Sequence, residues 1–122
     1  MAKTDDFAKA YVELRRLFRP YEGRLVIVRD LPGDVYFDTR RFGSNQKPIF
    51  FAAVRIGKRY VSFHFMPVYV DSKLLARISP ELREHMQGKS CFSFRRPEPE
   101  LFAQLGALLR AGWESYRKAG YL

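Results

Sequence analysis

Apolar residues recur at three- and four-residue steps from Phe7 through Tyr11 and Leu14 to Phe18, a spacing that predicts an amphipathic helix at the start of the chain. Thr4 reads as its N-cap and Asp5 and Asp6 as first-turn acids. Arg15, Arg16 and Arg19 gather at the C-terminal end, where cations complement the helix dipole, before Pro20 and Gly23 close the element. The period then falls to two. Residues 24–30 are a β-branched run, Pro32-Gly33-Asp34 supplies turn chemistry, and residues 35–39 set Val35 and Phe37 against Tyr36 and Asp38. After a loop over 40–47, residues 49–56 and 60–66 predict a hairpin closed by Gly57-Lys58-Arg59. Strict alternation places Phe50, Ala52, Val54 and Ile56 on one face of its first strand and Phe51, Ala53 and Arg55 on the other. The second strand sets Val61, Phe63 and Phe65 against Tyr60, Ser62, His64 and Met66, and Pro67 ends it.

Helical spacing returns beyond Pro67, with Leu74, Leu75 and Ile78 on one short helix and Leu82 and Met86 on a second. Ser79 caps the second helix, Pro80 occupies its first position and Gly88 stops it. Residues 90–95 predict a fifth strand with Phe92 and Phe94 on one face and Cys91 and Ser93 on the other. Pro97-Glu98-Pro99-Glu100 then opens a long helix striped by Phe102, Leu105, Leu109, Trp113 and Tyr116. The order helix, four strands, short helices, strand, long helix predicts one α+β domain over residues 1–122. It is a two-layer structure, with a five-stranded, mainly antiparallel sheet packed against the terminal helices. Tyr60, Ser62, His64 and Arg55 then fall on the face that the helices leave open.

Charge adds a partner class to this picture. The chain has 122 residues and a formal net charge of +9, which favours an anionic partner such as nucleic acid, a phosphorylated metabolite or an acidic protein. No Asp or Glu occurs between Thr39 and Val70, a stretch that holds Arg40, Arg41, Lys47, Arg55, Lys58, Arg59 and His64. One cysteine, Cys91, excludes an intramolecular disulfide, and with only two histidines the chain lacks the ligands of a usual structural zinc site. Asp5 and Asp6 stand where a signal peptide would carry an apolar run, and no stretch has the apolar length of a membrane span, so the expected location is the cytoplasm.

The segment Phe63 to Phe94, reading FHFMPVYVDSKLLARISPELREHMQGKSCFSF, resembles the YdhG-like family of small bacterial domains of unknown function. The resemblance lies in a hairpin ending at Met66-Pro67, a short helix before Ser79-Pro80-Glu81-Leu82, the Gly88-Lys89 stop, the Phe92 and Phe94 strand and the long last helix. It implies a compact α+β fold similar in shape to frataxin and the YjbR-like domains and, for some relatives, iron delivery. Such a role relies on carboxylates along the first helix and strand, because hard cations want carboxylate oxygen. Here Asp5, Asp6, Glu13 and Asp30 face Lys9, Arg15, Arg16, Arg19, Arg24 and Arg29.

No catalytic constellation emerges. Gly88-Lys89-Ser90 matches the end of a P-loop, but Arg83 stands where its first glycine belongs, and a helix precedes it where a strand should. Cys91 with His64 or His85 lacks any sign of an activated thiol, and His85, beside Glu81 and Glu84, reads as solvated. Asp34, Tyr36 and Asp38 share a face and suit ion pairing with Arg29 or Arg24. The expected function is non-enzymatic and cofactor-free, the binding of a small ligand or protein partner by His64, Tyr60, Ser62 and Arg55 around one pocket mouth. The alternative is single-stranded nucleic acid, with Tyr60, Phe51, Tyr69 and Tyr36 stacking bases and Arg40, Arg41, Lys47, Lys58 and Arg59 holding phosphates. A homodimer through a strand edge or an apolar helix face remains open.

Overall fold

A computed structural model of the chain describes residues 4–122. Helix α1 (Phe7–Arg16) and a 3-10 segment (Arg19–Arg24) precede four strands, β1 (Val26–Leu31), β2 (Asp34–Phe42), β3 (Pro48–Ile56) and β4 (Val61–Phe65). Helix α2 (Met66–Val70), a second 3-10 segment (Ser72–Arg77) and helix α3 (Pro80–Arg83) then lead to β5 (Met86–Gln87), β6 (Cys91–Phe94) and the long helix α4 (Pro99–Ala119). All neighbouring strands are antiparallel, in the order β1-β2-β3-β4-β6-β5. The fold is the expected α+β arrangement, with six strands where five are predicted.

The sixth strand arises because α3 stops after one turn. Met86 leaves the helical pattern to pair with Phe92, and the Ser93 amide donates to the His85 carbonyl at 2.8 Å. Gly88, with φ of +78°, therefore turns the chain between two strands, where helical spacing predicts a helix stop. His85 is only half-exposed. Its ring lies nearly parallel to Phe94, with centroids 4.6 Å apart, and its Nδ1 is 2.8 Å from the Ser93 carbonyl, which requires the proton on that nitrogen. Ser79 does cap α3, accepting from the Leu82 amide.

The helices cover one face of the sheet. Tyr11, Leu14 and Phe18 from the N-terminal region and Phe102, Leu105, Leu109, Trp113 and Tyr116 from α4 are all buried. They close over Val35, Phe37, Val54, Phe63, Phe65, Phe92 and Phe94 from the sheet. Phe18 meets Phe37 at a tilt, with ring centroids 4.8 Å apart, and stacks on Phe63 at 5.5 Å. Helix α4 runs so close at Gly112 that a Cβ there would lie 2.4 Å from Phe65 Cζ, so this position accepts no larger residue without movement.

Three charged groups in and before the first helix find other places than helical spacing predicts. Asp6, not Thr4, is the N-cap, accepting from the Lys9 amide, while Asp5 pairs with Arg95 and Arg96. Arg15 turns inward and is only 8% exposed, bound to Glu22 and to Asp30 and lying 5.4 Å over the Phe37 ring. A buried guanidinium needs such partners, because leaving it unpaired would cost several kcal/mol, on the order of 3–5.

Candidate ligand site on the open sheet face

Residues directly opposite in an antiparallel ladder point to the same side, so register turns the uncovered face into a grid. Its central row runs Tyr36, Ala53, His64, Cys91 across β2, β3, β4 and β6. The next row toward the β3–β4 turn is Asp34, Arg55, Ser62, Ser93, and on the other side Asp38 faces Phe50.

Phe50 is the residue that alternation misplaces. Phe37 pairs with Ala52 but Asp38 pairs with Phe50, so Phe51 is an extra residue, a β-bulge that shifts the phase of β3 by one. Phe51 consequently sits in the core with no exposure, while Phe50 emerges on the open face. The Tyr116 hydroxyl of α4 donates to the Phe50 carbonyl at 2.8 Å, tying the bulge to the helix layer. Burial raises the Tyr116 phenol far above its ordinary range, so it stays protonated as a donor.

Once on this face, Phe50 joins a continuous ladder of flat groups. The Arg29 guanidinium lies 5.1 Å from the Tyr36 ring, Tyr36 is 4.7 Å from Phe50, and Phe50 meets His64 edge-on at 4.9 Å. Tyr36 and His64 flank Ala53, whose small side chain leaves room for the Phe50 ring between them. Arg29 also donates to Asp34 at 3.0 Å, the expected cross-strand ion pair.

At the turn end of the same face, Arg55, Ile56, Gly57, Lys58, Arg59, Tyr60 and Ser62 line a groove of about 650 Å³. The Tyr60 hydroxyl donates to Gln87 Oε1 at 2.9 Å, which holds the ring against β5. Tyr60 and Ser62 also line a smaller cavity of about 170 Å³ with Gln87, Cys91, Phe92 and Ser93.

Three of the four residues expected at one pocket mouth, Arg55, Tyr60 and Ser62, thus share a groove. His64 does not line it; it sits one row away, against Phe50. The five basic residues of the alternative divide between opposite ends of β3. Lys58 and Arg59 flank the groove, whereas Arg40 and Arg41 end β2 near Lys47 and donate to the carbonyls of Gly23 and Leu122. Among the aromatics, Tyr36 and Tyr60 are on the open side, Phe51 is core, and Tyr69 lies on α2 with Lys89 5.8 Å from its ring.

His64 and Cys91 are cross-strand neighbours, but burial lowers the His64 pKa and raises that of Cys91. Both shifts favour the neutral forms, the reverse of an activated thiolate and imidazolium pair. Among the described residues no three His, Cys, Asp or Glu side chains gather in a metal-binding group. No helix there is long and apolar enough to cross a membrane. Arg29, Phe50 and Asp38 complete the face without standing among the residues expected to bind. Asp38 and Tyr36 were visible by alternation, whereas Phe50 was hidden by the bulge.

No protein-family model matches this chain, and neither does any curated protein or solved structure.

Proposed function

We propose that the chain is a YdhG-like, non-enzymatic binding domain that holds a small anionic ligand in the groove beside the β3–β4 turn. The observation that carries this reading is that Arg55, Lys58 and Arg59, with Tyr60 and Ser62, line one groove whose lining contains no carboxylate. Charge-assisted hydrogen bonds from arginine suit phosphate or carboxylate oxygens, while Tyr60, whose hydroxyl already donates to Gln87, and Ser62, which donates to the Arg55 carbonyl, shape the groove wall. The net charge of +9 draws such a ligand in from solution.

The ladder from Arg29 to His64 favours a second reading, single-stranded nucleic acid. Sheets bind such strands by stacking bases on solvent-facing rings, with cations holding the phosphates. Iron delivery has less to draw on, since Glu22 and Asp30 are already engaged by Arg15.

Calorimetric titration with pyrophosphate tests the groove. Saturable binding that falls at least about tenfold in Arg55→Ala and Arg59→Ala is expected, the loss of one charge-assisted contact each. Binding indifferent to both substitutions would sink the proposal. Tight binding of a mixed-sequence oligonucleotide, falling steeply with salt where pyrophosphate binds weakly, would select the second reading.

A further inference from the structure

We infer that the ligand of this face is a nucleotide, its phosphate in the Arg55 groove, its base over Phe50 and His64, and the donor edge of that base at Asp38. The inference rests on the groove reading above and adds the ligand's other end.

Asp38 is the feature that asks for it. The side chain is only partly exposed, and across the ladder it faces Val26 on one strand and Phe50 on the other, both apolar. Among the described residues it has neither a hydrogen bond nor an ion pair from any side chain. Asp34, on the same strand and the same face, is satisfied by Arg29. A half-buried carboxylate in an apolar flank with no cation is left to water, and a ligand that donates to it would take that water's place. Burial accordingly raises its pKa above the ordinary 3.8.

Spacing fixes the size of what arrives. Arg55 stands opposite Asp34, and Asp38 lies four positions further along β2, roughly 13 Å at about 3.3 Å per residue. The row of Tyr36 and His64 lies between them, and the Phe50 ring, from the position opposite Asp38, packs against both. Base, sugar and phosphate in sequence span such a distance once the flexible Arg55 side chain reaches inward. An ionised carboxylate only accepts, so it selects bases whose edge donates. Guanine presents two adjacent N–H groups, cytosine and adenine an amino group, and uracil one N–H flanked by carbonyls.

Titration of the folded protein with GMP, UMP and ribose 5-phosphate separates the two ends. GMP is expected to bind roughly tenfold more tightly than UMP, the size of one good base-edge contact, and ribose 5-phosphate, which has no base to stack, more weakly than UMP. Asp38→Asn, which keeps the side-chain volume, should bring GMP down to the UMP level and leave ribose 5-phosphate unchanged. Phe50→Ala should lower GMP toward ribose 5-phosphate, and Arg55→Ala should weaken all three. Equal affinity for the three probes would overturn the nucleotide while leaving the anion groove standing. A GMP preference that survives Asp38→Asn would overturn the placement of the base, and failure of every probe would remove groove and nucleotide together.

Discussion

The two faces of this sheet are both rich in aromatic rings, yet they do opposite things with them. On the helix side, Phe18, Phe37, Phe51, Phe63, Phe65 and Phe92 have no exposure and meet one another at many angles. Their work is to fill volume at the density of a protein interior. On the open side, Tyr36, Phe50 and His64 remain partly exposed and are bracketed by Arg29, Asp34, Asp38 and Arg55. Rings that fill volume need apolar neighbours. Rings set among charges at a solvent surface bury less area and so contribute less stability.

The largest expected effect on this contrast comes from matched truncations across it. Phe63→Ala should cost about 3–5 kcal/mol in chemical denaturation, as for a fully buried aromatic, whereas Phe50→Ala should cost about 1–2 kcal/mol. Equal costs would mean that the open face is a second core and not a recognition surface. A middle-sized effect should follow from Tyr116→Phe, which removes the hydroxyl donor to the Phe50 carbonyl. About 1 kcal/mol of stability should be lost, together with part of any affinity that depends on Phe50. Full stability with unchanged binding would show the two faces to be independent.

The smallest effect is in pH. Burial holds the His64 pKa below its ordinary 6.5, so between the lowered folded value and 6.5 the unfolded chain binds the proton more readily. Stability should therefore fall as pH drops through 6.5 and be recovered above it. His64→Gln should flatten that slope in thermal melts at pH 7.5 and 5.5. An unchanged slope in the variant would place the titration elsewhere.

Periodicity was a good guide wherever a single period ran through an element. The stripes of α1 and α4, the alternation of β4 and β6 and the capped start of α3 all lie where spacing puts them. It failed where one residue changes the count or a distant partner decides the outcome. The extra Phe51 reverses the facing of Phe50, and nothing local marks this, because both neighbours are phenylalanines that suit either side. Met86 has helical spacing with Leu82, but β6 offers it a ladder, and Arg15 looks like a dipole-compensating cation until Glu22 and Asp30 fold around it. The groove was legible in part for the same reason. Arg55, Tyr60 and Ser62 stand at the turn end of one hairpin, whereas His64, on the same hairpin, is paired with Ala53 a row further along and meets the ring that the bulge delivers.

The sheet has one long edge and one very short one. At one end β1 shows Val26, Ile27, Val28 and Leu31 more than two-fifths exposed, and both of its charges are engaged by its own chain, Arg29 by Asp34 and Asp30 by Arg15. At the other end stands β5, two residues long. As a template for adding strands this sheet is polar. Two copies that met through β1 would use up that edge and leave only the two-residue ends outward, too little ladder to recruit a third. The geometry therefore separates pairing from polymerisation, since strand-by-strand growth terminates at a dimer and an unbounded fibre would first require β5 to unravel.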